Sequence, residues 1–414
     1  MIKKIRKCRC CGSKKLKPLL NLGQHYLTGV FPSSQRKKIT YGPLEVSICN
    51  SNSNCNLVQL SHKYDLNELY GHNYGYRSGL NKSMSEHLKN KTKRIVSKYK
   101  FFEKKPLIVD IGSNDGTTLK AYNKNKFELF GFDPTAKKFK KYYPKHIKYS
   151  SNFFSSKLFK KIFKNKKAQI ITSFSMFYDL ERPISFMKDV YKSLSDDGVW
   201  IFEQSYLPSM IKTMSFDTIC QEHLEYYTLA QIKYMCDQTN FKIVDVEFND
   251  INGGSFSITV AKRKSNHSEP EVLIKKTIKK EIKEGYLDGS VWLNFNSKID
   301  NISKKINDFF IKTKEKNKIV MGLGASTKGN VLLQYLKINK SDILKIGDVN
   351  KDKHGKFTPG TNIPIVSENE VLKNDADYYF VLPWHFKNFF LKNKKFKNKK
   401  LVFPLPKFQI TNNK

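Results

Sequence analysis

The ten residues Leu107-Ile-Val-Asp-Ile-Gly-Ser-Asn-Asp-Gly116 combine an apolar strand with a glycine-bearing turn, and residues 117–122 are predicted to form a helix. At the carboxyl end of a parallel strand, such a turn lets a ligand approach the backbone closely. The next predicted strand, Phe127 to Phe132, ends in Asp133, whose carboxylate is placed to accept hydrogen bonds from ribose hydroxyls. The sequence therefore predicts an α/β sheet that binds a nucleoside.

The turn differs from the G-x-G-x-x-G pattern that binds a pyrophosphate. It carries Asp110 and Asp115, whose carboxylates repel a diphosphate and suit a cationic ligand. S-adenosylmethionine has no phosphate and carries a sulfonium and an ammonium group, so the residue types favour it over a dinucleotide. The other residues predicted to hold this cofactor lie in the turn and after the third and fourth strands: Gly112, Asn114, Asn152, Phe153 and Phe174.

Further apolar segments at 168–173, 198–202, 241–248 and 255–261 extend the predicted sheet. A short loop joins the last two, so they are predicted to form an antiparallel hairpin that closes a seven-stranded sheet. The hairpin loop is Asn252-Gly253-Gly254-Ser255. Asn-Gly is typical of a simple turn, and paired glycines also allow a substrate to pass close to the backbone. Asn252, Gly253 and Ser255 are therefore candidate substrate-binding residues.

Five of the seven cysteines lie within the first 55 residues. Cys8 and Cys11 form a C-x2-C pair followed by Gly12, and Cys49 and Cys55 form a second pair with five residues between them. Four thiolates form a closed, tetrahedral, structural zinc site. Cys10 can replace Cys8 as a ligand on sequence grounds, and a cluster of unliganded core cysteines is the alternative to a metal site.

One histidine stands between carboxylates after the fifth strand. His223 is flanked by Glu222 and Glu225. A histidine near carboxylates can act as a general base at neutral pH. Residues adjacent in sequence do not face each other, so the flanking glutamates alone are weak evidence for a base. The stronger evidence is that His223 follows a sheet strand on the side where the cofactor is predicted to bind. We therefore take Glu222 and His223 as catalytic candidates.

A second strand, glycine-rich turn and helix occurs near the carboxyl end of the chain. Ile319-Val-Met321 leads into Gly322-Leu-Gly-Ala-Ser-Thr-Lys-Gly-Asn330, which has a lysine and no acidic residue. Backbone amides at a helix start, together with a cation, suit a phosphate. Strands predicted at 343–349 and 378–382 indicate a second α/β domain, and a purely structural domain is the alternative. The substrate-binding candidates here are Ser326, Lys328, Asn330 and Trp384.

The composition limits the partners. The chain has 414 residues and a formal net charge of +38, but 68 of its 75 basic residues are lysines spread along the chain. Arginine is the residue that makes bidentate contacts with phosphate and guanine, so we predict a solvated basic surface and no nucleic-acid partner. Because neither a signal peptide nor an apolar run of 18 residues occurs, we predict a cytoplasmic protein with no membrane partner.

Taken together, these motifs resemble the three-domain sugar C-methyltransferases that act on nucleotide-linked keto-deoxyhexoses. The resemblance runs along nearly the whole chain and is carried by the two cysteine pairs before Leu57-Val-Gln-Leu60, by Tyr70, Tyr74, Tyr76 and Ser78-Gly79, by Asp110 to Gly116, by Glu222-His223, by Gly253-Gly254-Ser255, by Gly324-Ala325 with Lys328-Gly329-Asn330, and by Pro359-Gly360-Thr361 with Ile363-Pro364-Ile365.

The resemblance implies a class I methyltransferase sheet of the Rossmann-like type between a zinc-binding domain and a Rossmann-like carboxyl-terminal domain that helps hold the nucleotide-sugar. We place these domains at 1–65, 66–265 and 266–414. The resemblance also implies that His223, paired with Glu222, removes a proton beside a ketone. The resulting enolate attacks the methyl group of S-adenosylmethionine, and Tyr76 donates a proton or hydrogen bond to the oxyanion. Cys220 stands where the family often has a tyrosine, so the acceptor sugar is left open.

Two other functions stay open at this point. A nitrogen or oxygen methyltransferase acting on a surface-glycan sugar needs no enolate, and a basic RNA methyltransferase with a zinc knuckle requires salt-dependent RNA binding. The sugar, the nucleotide, the methylated carbon and the oligomeric state are not specified by the sequence.

Overall fold

The computed structural model describes residues 2–34, 38–52, 55–70, 76–99, 103–373 and 375–413. In chain order, its strands are β1 (Lys3–Lys4), β2 (Leu16–Tyr26), β3 (Tyr41–Cys49), β4 (Val58–Leu60), β5 (His62–Lys63), β6 (Leu107–Ile111), β7 (Glu128–Phe132), β8 (Ile147–Ser150), β9 (Ala168–Phe174), β10 (Leu194–Ser205), β11 (Glu225–Tyr226), β12 (Phe241–Asn249), β13 (Ser255–Lys262), β14 (Val320–Leu323), β15 (Ile346–Asp348), β16 (Ile365–Ser367), β17 (Tyr378–Val381), β18 (Lys399–Phe403) and β19 (Gln409–Asn413).

The α-helices between these strands are α1 (Leu66–Leu69), α2 (Lys82–Lys98), α3 (Thr117–Lys120), α4 (Ser156–Phe163), α5 (Pro183–Ser193), α6 (Leu207–Lys212), α7 (Leu229–Gln238), α8 (Glu271–Lys283), α9 (Val291–Glu315), α10 (Thr327–Tyr335), α11 (Glu368–Lys373) and α12 (Lys387–Lys392). Single 3-10 turns lie at Ser78–Leu80, Lys140–Tyr142, Phe177–Asp179, Phe216–Thr218, Ile251–Gly253, Lys351–Lys353, Trp384–Phe386 and Lys394–Phe396. No helix in the described part of the chain is long and apolar enough to cross a membrane.

The central sheet has seven strands in the order β12-β13-β10-β9-β6-β7-β8. The five strands from β10 to β8 run parallel, and β13 runs antiparallel to both β10 and β12. Every residue of β6 and of β13 is buried, as expected for strands covered on both faces. The predicted seven-stranded α/β sheet with an antiparallel hairpin at its edge is confirmed, and its mixed order is typical of class I methyltransferases.

The turn after β6 depends on glycine. Gly112 has φ +77°, and a Cβ placed there would lie 2.9 Å from Cγ of Met176. The Gly112 amide donates to the Phe132 carbonyl at 2.8 Å, which holds the turn against the end of β7. Helix α3 ends at Lys120 and not at the predicted Tyr122, because the last amides bond to carbonyls three residues back: Ala121 to Thr118 and Tyr122 to Leu119.

The amino-terminal sheet has the order β11-β4-β3-β2, and all its pairs are antiparallel. Its edge strand β11 is not contributed by the amino-terminal segment: it comes from the loop that carries Glu222 and His223. Glu225 pairs with Gln59, and Tyr226 pairs with Val58. A strand of two residues has no hydrophobic periodicity, so β11 could not be predicted from the pattern of apolar residues.

The carboxyl-terminal sheet has six strands in the order β16-β15-β14-β17-β18-β19, of which only β19 pairs antiparallel. The predicted second α/β unit is therefore confirmed. Helix α9 buries Trp292, Phe295, Ile299, Ile302 and Ile306, which recur every three or four residues along one face. One continuous apolar core joins the amino-terminal sheet, the loop around α6 and the carboxyl-terminal sheet. The boundaries at 1–65, 66–265 and 266–414 stay a prediction.

Candidate active site

The four predicted metal ligands converge at one point. The sulfur atoms of Cys8, Cys11, Cys49 and Cys55 all lie within 4.8 Å of one another. The Cys8 and Cys55 sulfurs are 3.8 Å apart, and those of Cys11 and Cys49 are 3.5 Å apart. Four ligands at a Zn–S distance of about 2.3 Å form a tetrahedron with edges of about 3.8 Å. The thiol geometry therefore fits a structural zinc ion, and it selects Cys8 over Cys10.

The backbone around the first cysteine pair explains this geometry. The Gly12 amide donates to the Cys8 carbonyl at 3.0 Å, and the Cys8 amide donates to the Ser13 carbonyl at 2.8 Å. Gly12 adopts φ +75°, so the glycine takes the sharp turn, as predicted. The wide spacing of the second pair is absorbed by a loop between Cys49 and Cys55. Residues 53 and 54 of that loop lie outside the described residues.

The predicted cofactor turn is held from two sides. The Asn114 amide donates to Oδ2 of Asp133 at 2.8 Å, and the Asn114 side chain accepts from the Ser78 amide at 3.0 Å. One Asp115 oxygen accepts from the Gly79 amide at 3.2 Å, and the other caps the start of α3. The segment from Tyr76 to Gly79 therefore covers the turn, and the carboxylates of Asp115 and Asp133 lie beside it.

The remaining cofactor candidates lie around this turn. Asp110 is buried within β6 and accepts from the Thr172 hydroxyl at 2.6 Å. Burial raises the pKa of Asp110 to about 7, although the hydrogen bond from Thr172 acts to lower it. Asn152 and Phe153 are exposed after β8, with Phe153 58% exposed, so its ring is accessible for stacking. Phe174 is partly buried at the end of β9.

His223 is held as a neutral imidazole. Its Nδ1 lies 2.7 Å from the Thr218 carbonyl. A carbonyl only accepts hydrogen bonds, so Nδ1 carries the proton and Nε2 keeps its lone pair. Burial, helped by the nearby charge of Lys328, lowers the pKa of His223 to about 4, although the hydrogen bond to Thr218 acts in the opposite direction. The ring of Tyr178 meets the imidazole edge-on, with centroids 4.4 Å apart.

Glu222 and His223 point into different cavities. His223 lines a small cavity with Tyr178, Ser205, Thr218 and Glu225, called the histidine pocket below. Glu222 lines a separate one with Lys63, Tyr64 and Asp179. Glu222 lies in a turn that the His223 amide closes on the Cys220 carbonyl at 3.2 Å, and the carboxyl group that shares the pocket of His223 is that of Glu225.

The Glu222 carboxyl is buried against the backbone of Gly29, where no space is left for a Cβ. Burial raises its pKa to about 7, and the weak contact from the Cys220 thiol at 3.9 Å opposes this shift only slightly. The oxygen Oε1 of Glu222 has no hydrogen-bond partner among the described residues. The sequence-based pairing of Glu222 with His223 is not seen as a direct contact.

Tyr76 lies between the cofactor turn and the histidine pocket. Its backbone carbonyl accepts from the Asn114 side chain at 3.4 Å, and its ring is 45% exposed. Its phenol interacts electrostatically with that of Tyr178, whose own pKa is raised by burial. Tyr74 lies outside the described residues.

The carboxyl-terminal candidates meet the methyltransferase unit at an interface. The Lys328 amine donates to the Asn252 carbonyl at 2.7 Å, and the Trp384 indole N–H donates to Oδ2 of Asp217 at 2.7 Å. The Trp384 ring also packs beside Gly253, whose φ is +93°. Burial lowers the pKa of Lys328, while the charge of Asp217 raises it.

The other candidates have structural contacts. Ser326 caps α10 by accepting from the Gly329 amide at 2.9 Å, and the Ser255 hydroxyl donates to the Ile251 carbonyl at 2.9 Å. Asn330 is buried and donates to the Thr28 carbonyl at 2.7 Å. Its own oxygen Oδ1 has no partner among the residues that the structure describes.

Three family models cover successive parts of the chain. Residues 8–70 match a model described as "Putative zinc binding domain", residues 81–246 match "Methyltransferase domain", and residues 250–406 match "C-methyltransferase C-terminal domain". The chain is a C-methyltransferase with three matched domains. It is an enzyme that depends on S-adenosylmethionine, and the comparison favours carbon over nitrogen or oxygen as the methylated atom.

Individual relatives of this C-methyltransferase are distant. The C-methyltransferase NovU of Streptomyces niveus is 24% identical over 398 residues, which cover 95% of this chain and 93% of that protein. Among solved structures, the plantazolicin methyltransferase BpumL in complex with SAH is 13% identical over 43% of this chain and 84% of its own, with a TM-score of 0.34. The CcbJ methyltransferase of Streptomyces caelestis is 9% identical over 42% and 89%, with a TM-score of 0.33.

Several polar residues near the candidate sites of the C-methyltransferase were not predicted from the sequence. Tyr178 and Asp217 carry no local motif. Glu203, at the end of β10, lies between His87 and Lys91 of α2, with the Lys91 amine 3.2 Å from its carboxylate. Burial opposes ionisation of Glu203, but these two partners outweigh it and lower its pKa. His87 and Lys91 lie at i and i+4 on one helix face, which is the one signal that the sequence offered for this ionic cluster.

We expect Asp133 to be needed for cofactor binding by the C-methyltransferase. Replacing it with alanine removes the acceptor for the Asn114 amide and for the Thr135 amide at 2.6 Å. The Kd for S-adenosylhomocysteine, measured by calorimetry, is expected to rise about 10- to 100-fold, as for the loss of two charge-assisted hydrogen bonds. Glu128→Gln, at the exposed start of the same strand, is the control and should bind normally. Equal Kd values for both variants would contradict the assignment.

Proposed function

We propose that this C-methyltransferase transfers a methyl group to a carbon beside the ketone of a nucleotide-linked keto-deoxysugar. The observation that carries the proposal is the His223 imidazole, because its Nδ1–H is fixed by the Thr218 carbonyl and its basic Nε2 lies in a buried pocket. Methyl transfer to such a carbon first requires removal of a proton. Transfer to a nitrogen or oxygen of a sugar does not require a base that removes a proton from carbon.

In the proposed reaction, Nε2 of His223 takes the proton from the carbon beside the ketone, and the electron pair of that C–H bond moves into the enolate. The carbonyl oxygen then carries negative charge, which the hydroxyl of Tyr76 is proposed to stabilise by donating a hydrogen bond. When bound, S-adenosylmethionine supplies the electrophilic methyl group that the enolate carbon takes. The turn at Gly112 to Asp115, with Asp110, Asp133, Asn152, Phe153 and Phe174, is proposed to hold this cofactor.

The nucleotide-sugar is proposed to bind where the hairpin of the methyltransferase unit meets α10. Lys328 holds a carbonyl of the hairpin through one N–H and has two further N–H groups. The Asn330 oxygen Oδ1 has no partner among the described residues, and the ring of Trp384 packs beside Gly253. The full proposed set is Asn252, Gly253, Ser255, Ser326, Lys328, Asn330 and Trp384. We also propose that the enzyme acts in the cytoplasm, where thiols remain reduced for a zinc site.

The pH dependence distinguishes the two proposed catalytic groups. The pKa of His223 is lowered to about 4, whereas that of Glu222 is raised to about 7. With His223 as the base, the rate of proton removal at saturating substrate should change less than about twofold between pH 8 and pH 5, since the imidazole is neutral throughout that range. A histidine of ordinary pKa would lose about 30-fold by pH 5.

The measurement is hydrogen exchange in heavy water, with circular dichroism confirming the fold at each pH. A rate that instead falls below pH 7, and that loses this dependence in Glu222→Gln, would identify Glu222 as the base and contradict the assignment to His223.

The substrate class is tested with labelled S-adenosylmethionine and a panel of nucleotide-linked 4-keto-6-deoxysugars in heavy water. We expect label on carbon and deuterium at the carbon beside the ketone, with exchange persisting when the methyl donor is replaced by S-adenosylhomocysteine. Tight cofactor binding with neither signal on any member of the panel would reject this substrate class. Label on nitrogen or oxygen without exchange would reject the enolate.

A further inference from the structure

A buried hydrogen bond joins the carboxyl-terminal unit to the loop that carries His223. The indole N–H of Trp384 donates to Oδ2 of Asp217 at 2.7 Å. Asp217 has no exposed surface, and Trp384 is 4% exposed. These residues are 167 positions apart. A charge-assisted hydrogen bond of this kind, shielded from water, is among the stronger ones in proteins, so it fixes the position of the Asp217 backbone.

The same short turn that contains Asp217 also contains the hydrogen-bond acceptor of His223. Phe216, Asp217 and Thr218 form one 3-10 turn, closed by the amides of Thr218 and Ile219 on the carbonyls of Ser215 and Phe216 at 3.0 Å. The Thr218 carbonyl accepts from Nδ1 of His223 at 2.7 Å. One turn therefore makes two contacts: the first to Trp384 and the second to the imidazole.

We propose that Asp217 is a positioning residue for His223, held in place by Trp384, so that the carboxyl-terminal unit fixes the orientation and tautomer of the base. The proposal rests on the proposed function, in which His223 is the base. A carbonyl that fixes Nδ1–H decides which nitrogen is free to accept a proton. A shift of about 1 Å in such a carbonyl is enough to misalign the base and to slow the reaction about 100-fold.

A second contact crosses the same interface. Lys328, from α10, donates to the carbonyl of Asn252, and its positive charge acts on Asp217, His385 and His223. The ionisable groups that face His223 from the surrounding segments are Tyr178, Glu225, Tyr226, Asp217 and Lys328. Because Lys328 and Trp384 are also among the proposed nucleotide-sugar contacts, substrate binding there and alignment of the base involve the same residues.

The test compares tryptophan variants that lose the same N–H group. Trp384→Phe keeps an aromatic ring and removes the donor to Asp217. Trp292→Phe is the matched control, because Trp292 is 1% exposed and its Nε1 has no hydrogen-bond partner among the described residues. Asp217→Ala removes the acceptor, while Asp217→Asn keeps an acceptor oxygen for the indole and serves as the conservative variant.

We expect Asp217→Ala, which changes no proposed substrate contact, to lower kcat for deuterium exchange at least about 10-fold with little change in KM. Trp384→Phe should lower kcat by a similar factor, with or without a rise in KM, whereas Asp217→Asn and Trp292→Phe should keep most of the wild-type kcat. The substrates are the nucleotide-linked 4-keto-6-deoxysugars of the panel. A rise in KM alone would assign Trp384 to substrate binding only. An equal loss in Trp292→Phe would indicate a general packing effect. Either result overturns the proposal.

A second readout needs no substrate. Nitrogen-15 NMR of histidine-labelled enzyme, with His223 assigned from the signal missing in His223→Asn, reports the tautomer and the pKa of the imidazole. The wild type should show Nδ1–H, and Trp384→Phe should show a mixture of tautomers. An unchanged tautomer in Trp384→Phe and Asp217→Ala would overturn the positioning role. If no sugar of the panel exchanges in the wild type, the proposed function fails while this measurement still decides the inference.

Discussion

Cys8→Ser should lose the zinc ion and, with it, the folded amino-terminal sheet. The Cys8 sulfur is one of four that lie within 4.8 Å of one another, so the variant lacks one of the four ligands of the tetrahedral site. Structural zinc contributes on the order of 10 kcal/mol to small domains of this kind, a loss comparable to the whole stability of a typical domain. The purified wild type should contain about one zinc ion per chain by atomic emission, and the variant close to none.

Cys10→Ser is the matched control for this experiment. Cys10 lies two residues from Cys8 and one from Cys11, but it is not among the four clustered thiols. Zinc content and thermal stability of this variant should match those of the wild type. Loss of zinc in Cys10→Ser with retention in Cys8→Ser would exchange the roles of these two residues and contradict the geometry.

The loss of zinc should also disturb the loop that carries His223. Strand β11 follows His223 by two residues and pairs with β4 of the amino-terminal sheet. The Leu60 amide donates to the Leu224 carbonyl at 2.8 Å, which ties the two together beside the histidine. When the sheet unfolds, this support is absent, and kcat for methyl transfer should fall about 100-fold or more. Cofactor binding should change much less, because the turn after β6 belongs to the central sheet.

The second large effect is expected for His223→Ala. Removal of a general base costs about 100- to 10,000-fold in rate, and Nε2 of His223 is the proposed proton acceptor. Both exchange and methyl transfer should fall within that range, while the calorimetric Kd for S-adenosylhomocysteine stays at the wild-type value. The separation follows from the structure, since His223 lines the pocket with Tyr178 and Thr218 and not the glycine turn.

His223→Asn guards against a folding defect, because its side-chain amide still donates to the Thr218 carbonyl but offers no basic nitrogen. The surface variant His267→Gln is a further control, since that histidine is exposed. Exchange at a normal rate in His223→Asn would remove His223 from the proposed mechanism. Loss of cofactor binding in the same variant would indicate that the loop, and not the base, had been damaged.

Much of the fold followed from local patterns. The strand and turn at Leu107 to Gly116, the seven-stranded sheet and the carboxyl-terminal α/β unit are continuous segments with strong apolar periodicity. The four zinc ligands were also found from spacing, although only the folded chain distinguishes Cys8 from Cys10. The sheets depend on residues that are close in sequence, and the zinc site depends on two cysteine pairs whose chemistry is typical of a structural metal site.

The relations between distant segments were not predictable in the same way. Nothing local relates Asp217 to Trp384, or the residues of β11 to those of β4. Glu222 and His223 face apart because Glu222 lies in a turn that the His223 amide closes on the Cys220 carbonyl, and neither Gln221 nor Glu222 is a typical turn residue. Lys328 and Asn330 were predicted to contact the substrate because their turn suits a phosphate, and the fold shows that both hold the units together.

The origin of strand β11 bears on how such enzymes diversify. A domain whose edge strand comes from its neighbour cannot be exchanged by recombination at the junction near residue 65 without pairing β4 with a strand from the other parent. The cysteine-bearing segment and the loop at 217–227 should therefore be inherited as a pair. A chimera that moves one without the other should aggregate, whereas one that moves both should remain foldable.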